Sequence, residues 1–246
     1  MSKRIIIANW KMNPETKEEA HDRAKLISQA SDGLSKTEVV LCPPFPFIET
    51  VSQFKSFTLG AQDLSSEVEG AFTGEVSAYE LLDMGVKVVL VGHSERRARG
   101  DSDDIVAKKL LIAIKSSLRP VLCVGESVRD EAGEYFSFII KQLEGALDKI
   151  PKKNLGKLMI AYEPVWAIGE SPTGPATPAQ CYEMSVYIRR VLSKMIGTEQ
   201  AISLSILYGG SVDKKNAQFF LSDGGVQGLL IGRESLTKSF LDLLKQ

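Results

Sequence analysis

Residues Leu158–Gly174 read LMIAYEPVWAIGESPTG, and the architecture of the chain turns on them. The stretch begins as a short apolar run, Leu158–Tyr162, with the continuous hydrophobicity of a strand buried on both faces. Glu163 follows at once and precedes Pro164. A residue before proline is driven out of the α region, so Glu163 cannot begin a helix and sits where the strand opens into a loop. That loop carries Trp166, Ile168, Gly169, Ser171, Pro172, Gly174 and Pro175, and a new helix is expected from Thr177. A carboxylate at a strand end, under a long loop with apolar residues at its root, suits a base beneath a lid. A solvated glutamate in an ordinary strand–helix connection reads the same way, and the rest of the chain decides between them.

Working outward, the same unit recurs. Strands are expected at Ile5–Asn9, Glu38–Cys42, Thr58–Ala61, Val88–Gly92, Val121–Val124, Leu158–Tyr162, Ser205–Tyr208 and Gly228–Ile231, with helical patterns between them. Asn13-Pro14-Glu15 offers a helix start with an N-cap, a proline at the first position and an acid in the first turn. Ser77–Glu80 and Thr177–Gln180 fit the capping box, the second with Pro178 at the first position. Leu110, Leu111 and Ile114 fit one helix face, and Phe138, Ile139, Leu143 and Leu147 fit another. Gly156, Gly197, Gly224 and Gly225 mark breaks. No Pro/Gly/Ser-rich linker divides the chain. Eight strand–helix units predict an α/β fold, a single (β/α)8 barrel domain over residues 1–246. A doubly wound nucleotide-binding sheet would want a glycine-rich turn after its first strand, and here that turn is Asn9-Trp10-Lys11-Met12-Asn13.

Composition narrows the function. Net charge is −1 and no basic run is long enough to track a phosphate backbone, which argues against a nucleic-acid partner. No apolar stretch reaches the length of a membrane span, and MSKRIIIANW reads as a strand rather than a signal peptide. Cys42, Cys123 and Cys181 are odd in number and far apart, which points to a reducing, cytoplasmic setting without a disulfide framework or zinc spacing.

In such a barrel the active site is built from the C-terminal ends of the strands. Strand one ends in Asn9, with Lys11 two residues on. Strand four ends in Gly92-His93-Ser94-Glu95, strand five in Cys123-Val124-Gly125-Glu126, and strand six in Glu163. Strands seven and eight end in Tyr208-Gly209-Gly210-Ser211 and Ile231-Gly232-Arg233-Glu234. The last two are glycine-bearing turns into helical segments, suited to an anion, at the usual phosphate site of this fold. Tight turns alone would explain the glycines less well. Asn9, Lys11, His93 and Glu163 form a second group with an amide, an ammonium, an imidazole and a carboxylate. It contains no metal-ligand cluster. Such a set suits proton abstraction beside a carbonyl, with Glu163 as base and the other three stabilising the enediolate oxygen. His21, in the charged run Glu18–Arg23, is expected to be a solvated helix residue.

Asn9–Asn13, Gly92–Arg97, Cys123–Glu126, Ala161–Gly169 and Tyr208–Val212 resemble the motifs of the triosephosphate isomerase family, in family order and one per expected strand end. The resemblance covers the whole chain. It implies interconversion of dihydroxyacetone phosphate and D-glyceraldehyde 3-phosphate with no cofactor and no metal. It implies Glu163 as base, His93 as neutral electrophile, Lys11 as the substrate-contacting ammonium and Asn9 as an oxyanion donor. Glu95 matches the acid that supports the site from behind, and the backbone at Gly169, Ser211 and Gly232 matches the phosphate donors. These roles, and a closing loop that excludes water, belong to the family's well-known mechanism and are not read from spacing. The family is typically a homodimer, and the loop Gln62–Val76, with Gly70–Glu75 matching the family pattern, would reach the neighbour; Phe72 at its tip suits an interface.

Two positions depart from the family. The lid is longer and lacks the tip lysine, and Pro172 and Pro175 remove two backbone donors. After strand eight, Gly232-Arg233 replaces the usual Gly-Gly. A requirement for positive φ at 233 would strain the arginine. Arg233 either points to solvent or reaches the phosphate and adds a charge-assisted contact. Two alternatives stay open on sequence alone: another phosphate-binding barrel isomerase, and a barrel retained as a binding protein.

Overall fold

The computed structural model describes residues 3–168 and 174–245. Eight parallel strands close into a barrel in sequence order: β1 (Arg4–Asn9), β2 (Thr37–Cys42), β3 (Thr58–Ala61), β4 (Val88–Val91), β5 (Arg119–Val124), β6 (Met159–Tyr162), β7 (Ser205–Tyr208) and β8 (Gly228–Ile231). Each expected strand is present, with ends shifted by no more than two residues. β1 pairs with β8 as well as with β2, so the sheet has no free edge.

The pleat of the strands sorts the core into two layers. Ile5, Ile7, Val40, Cys42, Val88, Leu90, Val121, Cys123, Met159, Ala161, Leu207 and Leu230 pack inside the barrel. Their neighbours, such as Ile6, Ala8, Val89, Val91, Leu122 and Ile160, face the surrounding helices. Because the period is two, the inward parity runs on past the strands. Asn9 continues Ile5 and Ile7, and Glu163 continues Met159 and Ala161. Gly125, Gly209 and Gly232 continue Cys123, Leu207 and Leu230 in the same way. The top of the barrel interior therefore carries two polar side chains, Asn9 and Glu163, among glycines that leave room above them.

The helices follow their caps, with two corrections. The first helix begins at Lys17, not beside Pro14. Thr16 is its N-cap and accepts from the Glu19 amide at 3.2 Å, so Thr-Lys-Glu-Glu outcompetes Asn-Pro-Glu three residues upstream. The expected capping boxes at Ser77–Glu80 and Thr177–Gln180 both form, the latter with Pro178 at the first position. In the helix Glu134–Leu147, Ile139, Leu143 and Leu147 are buried with Ala146, but Phe138 is 44% exposed. Phe138 lies one residue ahead of Ile139, a rotation that carries it off the buried face. In the helix Asp103–Lys115, Leu110 is buried with Val106 and Ala113, while Leu111 and Ile114 are only partly covered.

One polar cluster braces the loops above the barrel. Lys109, 3% exposed, donates to Asp63 at 2.8 and 2.9 Å and to Asp101 at 2.7 Å. Arg96 Nε lies 2.8 Å from Asp63. The cluster ties the loop after β3 to the loop after β4. Burial pushes the Asp63 carboxyl upward, and Lys109 and Arg96 only partly pull it back. Replacing Lys109 by Met removes the ammonium that the two buried carboxylates share and leaves them only Arg96, which costs about 3–5 kcal/mol at neutral pH. A carboxyl raised in the folded state favours folding at acid pH and loses that contribution as pH rises through the raised value. Lys109→Met is therefore expected to destabilise more at pH 7 than at pH 4. Urea unfolding at the two pH values, with wild type alongside, measures this difference.

Candidate active site

Glu163 leaves β6 at the barrel rim, where the ladder extends past the strand on both sides. Its amide donates to Val124 O at 2.8 Å, and the Gly209 amide donates to Tyr162 O at 2.8 Å. The side chain is 1% exposed. Glu163 Oε2 accepts from the Ser94 amide at 3.0 Å. Oε1 has no hydrogen-bond partner and lies 3.5 Å from His93 Nε2. Space for this carboxylate is made by glycines. A Cβ on Gly125 would stand 1.7 Å from Glu163 O, and one on Gly209 would stand 2.9 Å from Glu163 Cγ.

His93 is the N-cap of the short helix Ser94–Arg97. Its Nδ1 accepts from the Glu95 amide at 3.2 Å. The ring proton is thereby assigned to Nε2, the nitrogen that faces Glu163 and the cavity.

Lys11 sits in an unusual backbone conformation, φ 54°, which a lysine adopts only when its surroundings hold it there. They do so from both sides. Asn9 Oδ1 accepts from the Lys11 amide at 3.0 Å, and Gln62 Nε2 donates to Lys11 O at 2.8 Å and to Cys42 O at 3.0 Å. The ammonium donates to Glu95 Oε1 at 2.6 Å. Burial works to raise the Glu95 carboxyl, but the bond and charge of Lys11, with His93 and Arg99 behind them, outweigh it and hold Glu95 below the usual glutamate range. The Lys11 stem lies against Gly232, where a Cβ would come within 3.2 Å of Lys11 Cε.

A cavity of about 500 Å³ opens above these groups. Asn9, Lys11, His93, Ser211, Gly232 and Arg233 all line it. Glu163 does not, because it is turned toward Ser94 beneath the floor. Ser211 Oγ donates to Ala167 O at 2.7 Å, which joins the β7 turn to the root of the lid. Arg233 is not at positive φ; it opens a single 3-10 turn, Arg233–Leu236, so the position imposes no strain on a side chain. Gly169, expected as a phosphate donor, lies outside the described residues, as do Ser171 and Pro172.

A second carboxylate underpins the lid root. Glu126, 1% exposed, accepts from Tyr162 Oη and Trp166 Nε1, each at 2.8 Å. Burial pushes its carboxyl upward despite these bonds. The Cys123 thiol, buried beside Glu163, is pushed well above its ordinary value, chiefly by burial and then by the carboxylate's charge. Strand-end reasoning did not single out Gln62, Ser94 or the tie from Glu126 to Trp166. Gln62 directly follows β3, so extending the same rule to that strand would have found it.

Across the whole described chain the arrangement is that of a known group. The triosephosphate isomerase family profile matches residues 4–246. The chain belongs to this family. A triosephosphate isomerase of Rhodopirellula baltica is 43% identical over 242 residues, covering 96% of this chain and 94% of its own. That of Alkaliphilus oremlandii is 39% identical over 252 residues, covering 99% of each. Triosephosphate isomerase of Endomicrobium trichonymphae is 39% identical over 251 residues. The family is one of isomerases acting on a triose phosphate, and the (β/α)8 barrel is its fold. Among the described residues, no helix is long and apolar enough to cross a membrane.

The glycine packing around Glu163 gives a direct test. Gly209→Ala is expected to keep the barrel folded by circular dichroism but to displace Glu163. A displacement of about 1 Å costs about 10²-fold in turnover. Steady-state kinetics of the variant, beside its far-UV spectrum, reads both.

Proposed function

We propose that this chain interconverts dihydroxyacetone phosphate and D-glyceraldehyde 3-phosphate with Glu163 as the base. The observation that carries the reading is the buried Glu163 carboxylate, held between the Ser94 amide and His93 Nε2 beneath a cavity lined by Lys11 and Asn9. In the reaction Glu163 leaves the Ser94 amide and takes a proton from the carbon next to the substrate carbonyl. The electrons of that C–H bond form the C=C bond of the enediolate, and negative charge moves onto the carbonyl oxygen. His93 Nε2–H, the Lys11 ammonium and Asn9 stabilise that oxygen as the charge develops. The hydroxyl proton on the carbon that lost its C–H passes to the former carbonyl oxygen, and Glu163 returns its proton to the former carbonyl carbon, which leaves the new carbonyl on the first carbon and completes the isomerisation.

The phosphate end of the substrate is assigned to the β7 and β8 turns, with backbone donors at Ser211 and Gly232. Gly169 is the third donor that the family resemblance implies. Glu95 acts through Lys11 and His93 rather than on substrate. The three cysteines are unpaired and buried, in keeping with a reducing, cytoplasmic setting. A binding protein that had lost catalysis would have no need to keep Lys11 in its held conformation or Glu163 in its glycine cradle.

The same reading includes a homodimer through loop 62–76. Val68 and Phe72 in that loop are each 47% exposed, apolar area that a partner would cover. Phe72→Asp is expected to shift the sedimenting species from a dimer to the 26.9 kDa monomer. Glu163→Asp retracts the base by one methylene and is expected to lower kcat by about 10²–10⁴-fold. Turnover of D-glyceraldehyde 3-phosphate, with free phosphate followed in the same sample, measures this. Wild-type kcat in the variant would remove Glu163 from the mechanism.

A further inference from the structure

The family resemblance expects glycine at position 233, and this chain has arginine. We propose that Arg233 is a phosphate-binding cation, facing the phosphate of the substrate from the β8 side. The inference rests on the assignment of the phosphate end to the β7 and β8 turns.

Three observations carry it. The first is position. Arg233 is exposed, directly follows Gly232, and lines the same cavity as Lys11 and Ser211. Its backbone is free of the positive φ that would have demanded glycine.

The second is the state of the surrounding charges. The Lys11 ammonium is already committed to Glu95 at 2.6 Å. The two acids at the mouth of the cavity, Asp213 and Glu234, are committed as well. Asp213 Oδ1 accepts from the amides of Lys215 and Asn216 at 2.8 and 2.9 Å, and Glu234 Oε1 accepts from Ser239 Oγ. Arg96, Arg97, Arg119 and Arg129 each pair with a carboxylate. Among the described residues Arg233 has no ion pair and no side-chain hydrogen bond. It is the uncommitted positive charge at a cavity built for a dianion.

The third is the composition of the lid. Residues Gly169–Pro175 contain no lysine or arginine and include Glu170. The lysine that the family pattern places on the lid is absent, and the cation stands instead at the end of β8. A guanidinium suits a phosphate because its planar fork donates two parallel hydrogen bonds. Placed at the end of a barrel strand, it strengthens capture of the dianion from solution.

The test pairs Arg233→Met, which keeps length and removes charge, with Arg233→Lys, which keeps charge and loses the fork. Steady-state kinetics on D-glyceraldehyde 3-phosphate run beside calorimetric binding of inorganic phosphate. A charge-assisted bond at a partly exposed site predicts a rise of about tenfold in both KM and the phosphate Kd of Arg233→Met. That rise should exceed the fall in kcat, with Arg233→Lys between the two. The salt dependence of kcat/KM should become shallower in Arg233→Met. A phosphate Kd and KM within about twofold of wild type would overturn the proposal. So would a loss reproduced by Glu170→Gln while Arg233→Met leaves phosphate affinity intact, since the arginine would then be a latch for the lid. Phosphate calorimetry needs no turnover. Absence of isomerase activity in wild type would therefore count against the proposed function and leave the Arg233 result readable.

Discussion

A closed parallel sheet has a fixed pleat, and that pleat decides which residues can meet above the barrel. Every second residue of a strand points inward, and closure removes any edge at which a strand might slip in register. The inward rows that pack Ile5, Ile7, Met159 and Ala161 into the barrel therefore also aim Asn9 and Glu163 over it. Three strands place glycine at the same level, and two of those glycines lie against the Glu163 backbone and side chain. The apolar core and the placement of the Glu163 carboxylate are set by one geometric rule. A register shift of one residue would turn both inside out.

Charge is handled differently at each level of the molecule. Near the floor of the site Glu163 is almost wholly buried, with an amide, an imidazole and the Cys123 thiol beside it. A little higher, Lys11 and Glu95 neutralise each other at short range and keep the ammonium in one place. Beside the site, Lys109 with Asp63 and Asp101 forms a buried group that fixes two loops rather than touching the cavity. The contrast is physical: Glu163 keeps one carboxylate oxygen without a hydrogen-bond partner, while the Lys109 ammonium is bonded to two carboxylates.

Much of this was legible in the residue order, for identifiable reasons. Strands buried on both faces read as unbroken apolar runs, so the expected and observed strands differ only at their ends. The residues at those ends then follow by counting. Asn9, Lys11, His93, Ser211, Gly232 and Arg233 line one cavity, with Glu163 just beneath it. What escaped were features made by residues far apart in the chain or by competing local signals. Lys109 looks like an ordinary helical lysine until Asp63, 46 positions away, folds onto it. The first helix had two plausible starts within four residues, and the hydrogen bond to the Glu19 amide selected Thr16. The pose of Glu163 depends on a backbone amide, that of Ser94, which no side-chain pattern encodes. The steric question at position 233 had no answer in sequence, because a backbone dihedral is a property of the turn and not of its letters.

The two tryptophans of the chain stand in different surroundings. Trp10 is wholly buried at the end of β1, where it packs with the barrel's outer layer. Trp166 is at the root of the lid, with its indole nitrogen bonded to Glu126. Excursions of a loop root and dissolution of a barrel differ widely in free energy. The indole on Glu126 reports on that local contact and the buried indole on the barrel, so the emission of the native protein holds two records that need no added label.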